Sequence, residues 1–280
     1  MTTYQLPDMP AKIPAIDDDK LKELLEKYAT KLEEVLENLT EHSITALAAE
    51  NKEWARAFVL LLQFGIWDSC NVARSIQLLG PHNLGRQTLS LARDSLEMVV
   101  NLYWIHADPE LRMNDFLEYS VHYNERYRRA LEEAGGQVWA WAQAEQSGWL
   151  SQVNAAWTAY AKEHQKQNSG AKPPKPKSSW TSTNTSDRGK ASKMMERHEY
   201  IYFSQATHIS PIIVEVCFEE QPVTTPAHYL SLSFLYQVAQ LKRLLHLACL
   251  CFREKTGFRS PEELKTFLDD ELNPDQGKST

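Results

Sequence analysis

Cysteine is scarce here: Cys70, Cys217, Cys249 and Cys251 are the four in 280 residues. None sits at a metal-ligand spacing. Cys249 and Cys251 are two apart, so a helix sends them to different faces. They read as small buried hydrophobes of a reducing compartment. No basic start followed by an apolar stretch marks a leader. No run approaches the roughly 20 apolar residues that span a bilayer. The expectation is a cytoplasmic protein with no membrane segment. The histidines form no H-x-x-x-H, H-E-x-x-H or E-x-x-H pair, so neither a zinc nor a di-iron site is expected, and no metal or cofactor is implied. A Gly-rich phosphate loop is missing, which argues against a P-loop nucleotide hydrolase. There is no G-x-S-x-G elbow, which argues against a serine hydrolase. Neither a strand-like alternation of useful length nor an internal repeat is visible. Charged residues make up 24% of the chain, with a net charge of −7. A mixed, acidic surface of this kind argues against tight, non-specific nucleic-acid binding.

What is present is helical periodicity. Residues 1–16 carry three prolines and no period, and read as an arm. Asp17-Asp18-Asp19 suits a helix N-terminus. Leu21, Leu24, Leu25, Tyr28, Leu32, Val35, Leu36 and Leu39 then recur at steps of three and four. A second helical pattern is expected from about Ile44 to Leu79, ended by Gly80-Pro81. Residues 84–106 are apolar almost all round, as a central helix is. Asp108-Pro109 restarts a helix that runs to about Ala134. Residues 137–165 predict helix in two pieces around Gly148. A long apolar helix is expected over 227–256, ending at Gly257. Ser260-Pro261-Glu262-Glu263 is a capping-box opening for the last one. The prediction is an all-α protein, one helical-bundle domain of seven to nine helices over 17–272, packed around 84–106 and 227–256. A polar tail follows over 273–280.

The stretch 166–187 differs. It contains Lys172-Pro-Pro-Lys-Pro-Lys177 and a Ser/Thr/Asn run around Trp180. From Lys162 to Lys193 eight Lys or Arg stand against Glu163 and Asp187. Its prolines preclude helix. It predicts a basic, mobile surface loop, or in functional terms a lid or a contact for an anionic partner.

Two segments place polar side chains at helical spacing among apolar ones. In the first, Arg86, Ser90, Arg93, Glu97 and Asn101 form a stripe. It faces either solvent or a polar interior, and burial is tolerable only if Arg and Glu pair. In the second, Arg197, Ile201, Ser204 and His208 share a face, with Tyr200 beside them. Ser204 and His208 make either structural hydrogen bonds near a helix end or, less simply, a general-base or phosphate-binding site. If the two faces meet, they form one interior polar cluster of Arg93, Glu97, Ser204 and His208.

Three ordered marks then carry a resemblance. They are Arg93-x-x-x-Glu97 running into Asn101-Leu-Tyr-Trp-Ile-His-Ala-Asp-Pro109, the Trp180-Thr-Ser-Thr segment, and Tyr200-x-Tyr-x-Ser204-x-x-x-His208-x-Ser210-Pro211. Over about 45–215 the chain resembles an uncharacterised family of bacterial helical proteins, a domain of unknown function. The resemblance implies the fold and the likely site positions (Arg93, Glu97, Asn101, Trp180, Arg197, Tyr200, Ser204, His208) but no reaction. A looser likeness is to HEPN-type helical ribonucleases and toxins of bacterial defence systems, which carry R-x4–6-H near a helix end. Here Arg197 is followed directly by His198, and His208 lies ten residues beyond it. The leading expectation is therefore a regulatory helical protein that binds a partner protein or a small anionic ligand through the cluster. The alternative is a HEPN-like ribonuclease acting on RNA, with His208 as base. Homo-oligomerisation is compatible with either.

Overall fold

The computed structural model describes residues 18–46, 53–82, 84–134, 139–168, 172–179, 181–192 and 225–269. The protein is all-α. Among the described residues there are nine helices and no strand. They are α1 (Asp18–Ala46), α2 (Glu53–Leu79), α3 (Gly85–His106), α4 (Pro109–Ala134), α5 (Trp139–Gln146), α6 (Trp149–Gln167), α7 (Thr185–Ala191), α8 (Thr225–Thr256) and α9 (Pro261–Leu268).

Most boundaries follow local chemistry. Pro109 opens α4, and the Arg112 N–H donates to the Asp108 carbonyl at 3.0 Å. Gly148, at φ +72°, takes the left-handed conformation that separates α5 from α6. Gly257 does the same after α8, at φ +78°. Ser260 Oγ accepts the Glu263 N–H at 3.2 Å and caps α9. Glu263 reaches back to accept the Arg259 N–H at 2.7 Å. One boundary corrects the sequence reading. Ile44, expected to open the second helix, belongs to α1, and α2 begins at Glu53. No Pro or Gly lies between 18 and 53, so the sequence offers no stop signal there.

The chain divides into two compact units. The first holds α1, α2 from Val59, α3 to Trp104, and α7–α9. Short connections make α1–α2 and α2–α3 antiparallel, as the side-chain pairs show. Gln77 Nε2 reaches the Lys22 carbonyl (3.5 Å), Cys70 Sγ the Ala29 carbonyl (3.7 Å), and Arg74 pairs with Glu33. Gly65 of α2 faces α3 so closely that an added Cβ would lie 2.7 Å from Leu102 Cδ1. Helix α8 runs in the same direction as α1: Ser231 Oγ donates to Asp18 at one end (2.7 Å), and Asn38 Nδ2 to the Lys255 carbonyl at the other (2.9 Å). The core of this unit is Leu21, Leu25, Tyr28 and Leu32 of α1, Leu62, Ile66 and Ile76 of α2, Leu89, Leu96 and Val99 of α3, and Phe234, Leu241 and Leu245 of α8. Each such side chain contributes about 1.5–3 kcal/mol of transfer free energy.

The second unit holds the first turn of α2, the end of α3, α4–α6 and the segment to Asn184. Helices α4 and α6 are antiparallel. Tyr127 meets Trp149 at one end (ring centroids 5.7 Å), and the Tyr160 hydroxyl donates to Glu118 Oε1 nearer the other (3.0 Å).

Candidate functional site

Three of the sequence-predicted residues lie on α3. Arg93, Glu97 and Asn101 follow at steps of four and share one face of the helix. Arg93 Nη2 lies 2.8 Å from Glu97 Oε1. The pair is only partly wet: the Arg93 side chain is 15% exposed and that of Glu97 32%. Of the two orientations the sequence allowed, the structure favours the sheltered one. The contact places charge beside charge without the alignment of a hydrogen bond. Glu97 Oε1 and, one turn on, Asn101 Oδ1 are both buried acceptor atoms with no hydrogen-bond donor among the described residues. Ser90 on the same stripe is half-buried. The Arg86 side chain, Trp180, Arg197, Tyr200, Ser204 and His208 lie outside the described residues.

The opposite face of α3 carries a second polar row, which the sequence reading missed. Thr88 and Ser233 hydroxyls meet at 2.9 Å, as do those of Ser69 and Ser95. Gln237 Nε2 donates to the Ser69 carbonyl (2.8 Å) and to Ser95 Oγ (3.2 Å). The Tyr103 hydroxyl donates to the Arg243 carbonyl at 2.9 Å and lies the same distance from His246 Nδ1. The hydroxyls and Gln237 Nε2 are bonded to one another, as burial requires, while Gln237 Oε1 is buried without a partner among the described residues. Burial, only partly offset by the nearby Arg243 charge, pushes the Tyr103 phenol above its ordinary range. The sequence signal was faint, because Thr and Ser among apolar residues are common in helices.

The second unit holds its own polar cluster. His122 of α4 is buried between Trp157 and Tyr160 of α6, with ring centroids 5.5 and 4.7 Å away. The Lys177 backbone N–H donates to His122 Nδ1 at 3.3 Å. That bond requires an unprotonated Nδ1, so the hydrogen sits on Nε2, 3.5 Å from Glu118 Oε1. Lys177 Nζ lies 2.9 Å from the same carboxylate oxygen. The Ser178 carbonyl accepts from the Tyr119 hydroxyl (3.1 Å) and from Arg126 Nη1 (3.2 Å). Residues 177–178 of the basic loop are thus strapped onto α4. The sequence reading of a basic surface loop did not include these contacts. The lysines and prolines bury little of themselves, but α4 supplies acceptors and donors that the loop's own composition could not reveal.

Electrostatics follow from these contacts. Burial lowers the His122 imidazole below its usual value, the Glu118 contact opposing. For Glu118, burial acts upward, but hydrogen bonds from Lys177 and Tyr160 and the Lys177 charge hold the carboxyl below the ordinary range. Burial and the bond to Glu118 push Tyr160 up to about 12. One helix turn past His122, Glu125 is wholly buried. It accepts from Arg128 Nε (2.7 Å) and Nη2 (3.0 Å) and from Arg129 Nε (2.7 Å). Those bonds outweigh burial and lower its carboxyl. Glu118, His122, Glu125 and Arg129 stand at steps of four, three and four, a helical spacing visible in the sequence. A search limited to metal-type histidine pairs passes over it. Among the described residues no group of three or more His, Cys, Asp or Glu could hold a metal ion. Nor is any described helix long and apolar enough to cross a membrane.

Fold and site together define an all-helical protein with a sheltered ion pair on a central helix. Residues 58–221 match the family of unknown function DUF5677, and the chain belongs to that family. The matched stretch includes both polar segments, Arg93–Asn101 and Tyr200–Pro211. No curated protein and no solved structure matches the chain.

Proposed function

We propose that this is a non-catalytic, regulatory helical protein that recognises a ligand or a partner through the α3 stripe, completed by Ser204 and His208. The observation that carries the reading is the pair of buried acceptors, Glu97 Oε1 and Asn101 Oδ1, beside the Arg93 charge. A buried acceptor without a donor costs about 1–3 kcal/mol. A ligand bearing N–H or O–H groups removes that cost, and an anionic group on it complements the guanidinium. Amino acids and nucleoside monophosphates have this combination, as does a polar segment of a partner protein. The free, buried thiols of Cys70 and Cys249 suit a reducing cytoplasm.

Thermal unfolding of the full chain with amino acids and nucleoside monophosphates tests the reading. One of them should raise Tm, since ligand that binds only the folded state stabilises it. Asn101→Leu and the paired Arg93→Met, Glu97→Leu change should abolish that rise. An unchanged response in both variants would refute the proposal. Growth arrest on expression, lost in His208→Ala, would instead transfer the cluster to the alternative of an RNA-cleaving toxin in a bacterial defence system.

A further inference from the structure

Helix α2 carries two apolar faces. One packs into the first unit through Val59, Leu62, Ile66, Cys70, Ala73 and Ile76. The other looks into water. Leu60 is 49% exposed, Phe64 48%, Trp67 53% and Leu78 72%. The Phe64 and Trp67 rings touch each other, centroids 5.9 Å apart. Asn71 and Arg74 complete the row. Leu60, Phe64, Trp67, Asn71, Arg74 and Leu78 recur at steps of four, three, four, three and four. That is the a/d spacing of a helix–helix seam. A helix in a globular protein needs only one such stripe.

We propose that this outer stripe is a self-association surface, on which two copies of the chain pair α2 against α2 in an antiparallel, two-fold arrangement. Three observations point to a second copy. The spacing fits a helix as occupant, because a seam of this period packs knobs into the holes of another helix. The row is also symmetric about residue 69. Antiparallel pairing sets each a position against a d position of the other copy. Leu60 then meets Leu78, Phe64 meets Arg74, and Trp67 meets Asn71, each contact made twice. Leucines match at both ends, the Arg74 stem, its guanidinium held by Glu33 of its own copy, lies along Phe64, and an indole N–H meets an amide oxygen. Third, the area suffices. At these exposures the four apolar side chains leave roughly 400–500 Å² open per copy, near the upper end of what a monomer carries. Two copies together would remove roughly 900 Å² of apolar surface, and the polar positions bring the total to about 1,200 Å², where stable interfaces begin. One group opposes the pairing. Asp68 flanks the seam near the dyad, and its carboxyl is already raised by burial and by neighbouring Asp94.

Sedimentation velocity or light scattering on the full chain, over a micromolar concentration series, reads the outcome. The expected result is a reversible dimer. Phe64→Glu with Trp67→Glu should give a monomer with unchanged helical circular dichroism, because both residues sit in water in the single copy, and its melting temperature should no longer rise with protein concentration as that of the wild-type dimer does. Leu60→Lys should weaken the dimer at least tenfold. Asp68→Asn, which removes like charge beside the dyad, should tighten it. A wild-type chain that stays monomeric throughout overturns the proposal, as does a dimer that survives the double change. A monomer that captures another protein through Trp67 overturns it too.

Discussion

Replacing Glu125 tests whether the second unit is held by one carboxylate. Glu125 is wholly buried and accepts three charge-assisted bonds from Arg128 and Arg129. Removing one partner of a buried pair costs about 3–5 kcal/mol, because the other charge is stranded. Two features reduce that figure here. Arg128 keeps its contact with Glu132, and the Arg129 side chain is 47% exposed and can turn to water. Arg129 also keeps the Trp157 face, 5.9 Å from its guanidinium carbon. Glu125→Ala should therefore destabilise by about 3 kcal/mol, the low end of the range. Glu125→Gln keeps the shape and one acceptor, and should cost about half as much. Equilibrium unfolding in urea at neutral pH measures both. The pH profile separates charge from packing. The Glu125 carboxyl is lowered in the folded state. Its contribution is fully present above the ordinary carboxylate value of about 4.3 and is lost as pH falls through the folded value. The gap between wild type and Glu125→Gln should accordingly narrow below about pH 4. A gap that stays constant from neutral pH into acid, or an Ala variant within about 0.5 kcal/mol of wild type, would refute the reasoning.

Other outcomes follow from the same contacts. Glu97→Ala should cost about 1–3 kcal/mol, less than a fully buried pair because the site is partly wet, and more than Arg93→Met with Glu97→Leu; chemical denaturation of the three proteins decides. The His122 imidazole is lowered on folding, so between its folded value and about 6.5 the unfolded chain binds more protons and stability rises with pH. His122→Phe should flatten that slope in unfolding measured across the window. Trypsin cuts poorly before proline, so within 172–179 it is left with Lys177–Ser178. Cleavage there should be slow in wild type and much faster in Glu118→Gln, and equal rates would show that the strap does not depend on that carboxylate. Ser260→Ala should cost about 1 kcal/mol through loss of the α9 cap, read as a lower melting temperature.

The all-α class was legible because period and punctuation agreed at most helix ends. Pro109, Gly148, Gly257 and Ser260 each mark a boundary for a backbone reason that a sequence displays. The junction of α1 and α2 was not legible, since its residues are all compatible with helix. The polar stripe was legible as a face, because Arg93, Glu97 and Asn101 stand out on an apolar helix. Its shelter was not, because burial depends on which neighbour lies across it. The Ser204 and His208 half falls outside the described residues. The His122 cluster was missed for a related reason. Lys177 and Ser178 reach α4 through a backbone N–H and a carbonyl, and a backbone group has no letter in the sequence.

The hydroxyl row between α3 and α8 works like a vernier scale. Thr88 reads against Ser233, Ser95 against Gln237, and Tyr103 against the Arg243 carbonyl. An apolar seam of similar length would tolerate sliding by one helical turn, about 5.4 Å, and would find other leucines to pack on. This seam would lose every one of its marks at once and leave each hydroxyl stranded. The row therefore selects a single alignment of two helices that are more than a hundred residues apart in the chain. It also fixes where every other residue of α3 points, including the sheltered ion pair on the far side of that helix.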